Sequence, residues 1–118
     1  MELSKEDAEK FKKGARAFVS WIKGHSFDEW TVQVGEVPEK IFSFTHVEAK
    51  FRHPALGFSC EWSITFAQSY ESGFFLFLNI PSVQKDPGRA ARLTEAIFRV
   101  SKMAQVFESS LKARKSHG

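Results

Sequence analysis

From Ala90 to Leu111 the apolar residues return at intervals of three and four without a break: Ala90, Leu93, Ile97, Val100, Ala104, Phe107, Leu111. Such a stripe belongs to one face of an α-helix. Asp86 offers an N-cap and Pro87 suits the first helical position, so the helix is expected to start there. Running to Ala113 it would have about 27 residues and a length of roughly 40 Å. Residues 114–118 read as a frayed tail. A helix this long with one apolar face must be covered, either by its own chain or by a twin helix in a second chain. Its small and β-branched stripe residues and few flanking charge pairs favour the first.

A second, shorter stripe lies at the other end: Ala8, Phe11, Ala15, Phe18 and Ile22. Ser4 is a good N-cap with Asp7 three residues on, Leu3 is placed to staple onto Ala8, and Gly24 is a natural stop.

Between the helices the period changes to two. Leu56, Phe58, Cys60, Trp62, Ile64 and Phe66 alternate with small or polar residues, the pattern of a strand with one buried and one wet face. Trp30–Val34 and Phe74–Ile80 read as further strands. In the last, Phe74, Leu76, Leu78 and Ile80 are expected to face the helices, with Phe75 and Phe77 facing away. Ile41–Arg52 reads as a strand whose apolar phase slips from Phe42 and Phe44 to Val47, Ala49 and Phe51, which predicts a β-bulge at Thr45–His46. The spacers are too short for parallel crossovers, so the strands form an antiparallel meander.

Four strands span roughly 19 Å and two helices about 20 Å. The expected fold is therefore one α+β domain over residues 1–118. It is a two-layer sandwich of α-β-β-β-β-α order, with both helices on one face of the sheet.

No apolar run approaches the roughly 20 residues of a membrane span. The N-terminus lacks the apolar core of a signal peptide, and the single cysteine, Cys60, cannot form an internal disulfide. The chain is expected to be cytoplasmic. The net charge of +3 divides into basic ends, residues 1–24 and 84–118, and an acidic middle. Charged faces of that kind are usually solvated, but they also suit an acidic partner.

The sequence offers little for catalysis. His46, His53 and Cys60 follow no common metal-ligand spacing, and Cys60 lies on an apolar face with no adjacent base. Glu48 and Glu61 are placed to meet on the wet face of the second and third strands, where carboxylates in open water keep ordinary acidity. No phosphate loop, nucleophile elbow or cofactor motif is present.

Two surfaces exceed what folding needs. On the open sheet face stand Phe75 and Phe77, joined, depending on the bulge, by Phe42 and Phe44 or by Val47, Ala49 and Phe51. On the outer face of the last helix stand Phe98 and Val106, with Arg92, Arg99 and Lys102 as contacts for an acidic partner. The leading expectation is a non-catalytic protein-interaction module, homodimeric and without cofactor, of the adaptor, chaperone, immunity or inhibitor kind. Two alternatives remain: a small-molecule binder or enzyme with a pocket between sheet and helices lined by Trp21, Trp30 and Trp62, and a basic-faced nucleic-acid module.

Overall fold

The computed structural model describes residues 3–57, 60–68, 74–81 and 86–117. Helix α1 spans Lys5–Lys23, strands β1 to β4 span Thr31–Val34, His46–Arg52, Trp62–Gln68 and Phe74–Asn79, and helix α2 spans Pro87–His117. The strands form one antiparallel sheet in the order β1-β2-β3-β4. The order is thus α-β-β-β-β-α, with an open sheet, as the change of period from helix to strand and back implies.

Both ends of α1 and the start of α2 follow their cap residues. The Ser4 hydroxyl accepts from the Asp7 N–H at 3.2 Å, and the Gly24 N–H closes α1 onto the Ser20 carbonyl. The Asp86 carboxylate accepts from the Arg89 N–H at 3.2 Å. Caps of this kind satisfy backbone donors that a helix leaves unpaired, at about 1 kcal/mol each.

The core lies between the helices and one sheet face. Phe11, Ala15, Phe18 and Ile22 of α1 are buried, as are Leu93, Ala96, Val100 and Ala104 of α2. Phe11 and Phe18 both pack on Phe66 of β3, with ring centroids 5.3 and 5.8 Å apart. Phe107 of α2 stacks on Trp21 of α1 at 5.0 Å, joining the helices directly. From the sheet come Val47, Ala49 and Phe51 of β2, with Trp62, Ile64 and Phe66 of β3. Phe51 stacks on Trp62 at 4.1 Å, and Trp30 meets Trp62 edge-on at 6.0 Å.

Four expectations are corrected. The second strand does not run from Ile41 through a bulge. A turn interrupts it: the Thr45 hydroxyl accepts from the Phe42 N–H at 2.8 Å, and the Thr45 N–H donates to the Phe42 carbonyl at 3.1 Å. Pairing with β3 begins at His46, so Phe42 and Phe44 precede the strand and only the Val47, Ala49, Phe51 phase operates within it. The third strand begins at Trp62 rather than Leu56. Gly57 takes a left-handed backbone (φ 79°), and the Cys60 N–H turns back to its carbonyl at 3.2 Å, so Leu56 and Cys60 reach the core from a turn. Ile80 lies just past β4 and is exposed, not roofed. Helix α2, expected to end near Ala113, runs as far as His117.

At its 31 residues, α2 is about 46 Å long, matching the molecule's longest dimension of 47 Å. Strands of six or seven residues reach only about 23 Å. The helix therefore extends well beyond the sheet it covers. Phe58 lies outside the described residues. The side chains of Phe74, Phe75 and Leu111 are likewise outside them.

Candidate functional site

Three regions gather functional side chains. The first joins the α1–β1 turn, the β2–β3 connection and α2. The turn from Phe27 to Trp30 holds Asp28 in the left-handed region (φ 55°), which Asp tolerates better than most residues. This presents Asp28 to Arg99 of α2, with which it forms an ion pair. Its neighbour Glu29 accepts from His53 Nε2 at 2.7 Å. The His53 ring is buried edge-on against Trp30 at 5.4 Å, and its Nδ1 accepts from the Ala55 N–H at 3.0 Å. That second bond places the shared proton on Nε2. The His53 hydrogen bond, with Arg92 as a smaller contribution, holds the Glu29 carboxyl below its ordinary value. Both ring nitrogens of His53 are engaged within the fold, so the group serves to tie three segments together.

The second region is the open face of the sheet. Ser63, Thr65 and Ala67 of β3 form a low floor between longer residues on β2 and β4, and Ser63 and Thr65 are buried there. Glu48, Lys50, Glu61, Ser63, Asn79, Ile80 and Pro81 are among the residues around a hollow of about 400 Å³. Glu48 and Glu61 do lie on this face, as expected, but register sets Glu48 opposite Thr65. Each carboxylate instead takes a cation from β2: Lys50 at 3.8 Å from Glu48, and Arg52 at 2.7 Å from Glu61. Such half-exposed pairs contribute about 0.2–1 kcal/mol each. Of the aromatic residues expected here, Phe77 borders the floor opposite Thr65 and is 43% exposed. Phe75 lies one register row away, opposite Ala67, and its side chain is not described. Phe42 and Phe44 stack on each other at 5.5 Å beside the turn that precedes β2, with Phe44 73% exposed.

The third region is the outer face of α2. Phe98 and Val106 are 61% and 72% exposed, and the Lys102 ammonium lies over the Phe98 ring, 4.6 Å from its centroid. The basic residues read as acidic-partner contacts differ in their surroundings. Arg99 is joined to Asp28, Arg92 faces the field of Glu29, and Lys102 is exposed.

Trp21, Trp30 and Trp62 do not together frame the hollow; of the three, Trp62 alone is among its lining residues. Each packs on another aromatic ring, and the hollow is lined mainly by side chains of the open face. Cys60 is buried. Among the described residues, no three His, Cys, Asp or Glu side chains gather as a metal site would need, and no helix is long and apolar enough to cross a membrane. The Asp28–Arg99 and Glu29–His53 pairs escaped the sequence reading, because nothing local relates residues so far apart in the chain. The chain matches no protein-family model, no curated protein and no solved structure.

Proposed function

We propose that this chain is a non-catalytic protein-interaction module of the adaptor, chaperone, immunity or inhibitor kind. It acts in the cytoplasm, and its partners are proteins, a second copy of itself among them. The observation that carries this reading is the outer face of α2, where Phe98 and Val106 stand in solvent on either side of Lys102. An exposed apolar pair framed by charge is the usual composition of a contact surface. Supporting it, the ionisable groups best placed for chemistry are occupied: His53 by Glu29 and Ala55, Glu48 by Lys50, and Glu61 by Arg52.

The test is affinity capture from native extract with two baits, the unaltered chain and a Phe98→Asp, Val106→Asp variant. Both positions are exposed, so the variant is expected to fold. Proteins held by the first bait and lost by the second support the reading. Identical captures by both baits count against it.

The polar hollow on the open face favours a second reading, a binder of small polar ligands. A ligand held there raises the unfolding temperature by mass action, and Asn79→Ala is expected to reduce that rise.

A further inference from the structure

Five residues define the outer face of α2: Ala91, Glu95, Phe98, Lys102 and Val106, all exposed and set opposite the buried Leu93, Ala96, Val100 and Ala104. Two of them are charged and unpaired. Neither Glu95 nor Lys102 forms an ion pair among the described residues, whereas Arg89, Arg99 and Glu108 are all engaged elsewhere in the fold. An unpaired carboxylate and an unpaired ammonium, seven positions apart with a phenylalanine between them, form a pattern that can complement itself.

We propose that a second copy of this chain covers this face, its α2 running antiparallel across the first with the twofold axis between Phe98 and Arg99. The proposal rests on the reading of α2 as the contact surface and names its occupant. In this register Glu95 is level with Lys102 of the second copy, and Ala91 is level with its Val106. Twofold symmetry makes each of these contacts occur twice, as an isologous interface requires. The two Phe98 rings meet at the axis, each still carrying its own Lys102 above it. Charge fixes the direction and the register. A parallel pairing would set Glu95 against Glu95 and Lys102 against Lys102, and an antiparallel axis through Lys102 would again oppose two ammonium groups. One helix face with a single central aromatic buries a small area, at the low end of specific interfaces, so the association is weak and depends on concentration.

Sedimentation equilibrium of the full chain over a wide concentration range, in low salt, tests this. The unaltered chain should show a monomer–dimer equilibrium that weakens as salt is added. Glu95→Lys alone and Lys102→Glu alone each set like charges together at both contacts and should raise the dimer dissociation constant roughly tenfold or more. The double variant Glu95→Lys, Lys102→Glu restores opposite charges and should return to within about threefold of the unaltered chain. Phe98→Asp should abolish the dimer, with its circular dichroism and unfolding temperature showing that the fold is kept.

A chain that stays monomeric throughout, or a double variant no tighter than the single ones, overturns the proposal. A monomer that still captures a different protein through Phe98 overturns the self-pairing alone. A monomer whose captures ignore Phe98 removes the contact-surface reading as well.

Discussion

The Glu29–His53 pair shows how much one residue's surroundings decide. His53 is a turn residue before Pro54, a position that by itself suggests exposure. Trp30 and the Ala55 N–H instead draw its ring inside, and Glu29 accepts the hydrogen bond from its Nε2. Because the His53 hydrogen bond holds the Glu29 carboxyl below its ordinary value, the charged form is favoured by folding. Its contribution to stability is complete above the ordinary carboxyl value and is lost as pH falls through the depressed one. Glu29→Gln should therefore flatten the acid side of the stability curve. Urea midpoints measured from about pH 6 down to about pH 3 should fall less steeply in the variant than in the unaltered chain. Equal slopes would mean that the carboxyl is not held by this bond.

At the scale of elements, α2 does more than roof the core. β4 is an edge strand, and edge strands present unpaired backbone groups to other chains. The Leu76 N–H, which points away from β3, is taken by the Glu108 carboxylate of α2 at 2.8 Å. Glu108→Ala should cost about 1–2 kcal/mol in chemical denaturation and speed amide exchange at Leu76. Glu108→Gln keeps an acceptor there and should have the smaller effect on both.

The helices were legible in the sequence because their period persists: Phe11, Ala15, Phe18 and Ile22 all lie inside, and so do Leu93, Val100 and Ala104. The same phase identified Phe98 and Val106 as outward. The strands were legible as elements but not in their limits. Leu56 and Cys60 continue the alternation of β3 although they are buried by the turn at Gly57, and period alone does not separate a pleat from a turn that reaches the same core. Phe42 and Phe44 looked like strand residues for the same reason, until the Thr45 hydroxyl closed a turn behind them.

At the scale of the molecule, two helices cover one sheet face, and the described residues of the other face include two ion pairs. Glu48, Lys50, Arg52 and Glu61 are paired on it, and Phe77 stands at the border of its floor. The weight of the interaction reading therefore moves from the sheet to α2, whose outer face joins exposed apolar side chains to unspent charge. The central claim is that this chain works by contact through that face. Amide nuclear magnetic resonance spectra recorded across a dilution series test it most directly, because they report where contact occurs as well as whether it does. The expected result is a set of concentration-dependent shifts centred on Ala91, Glu95, Phe98, Lys102 and Val106, absent in Phe98→Asp. Shifts confined to Ser63, Thr65 and Phe77 of the open sheet face, or no shifts at any concentration, would contradict it.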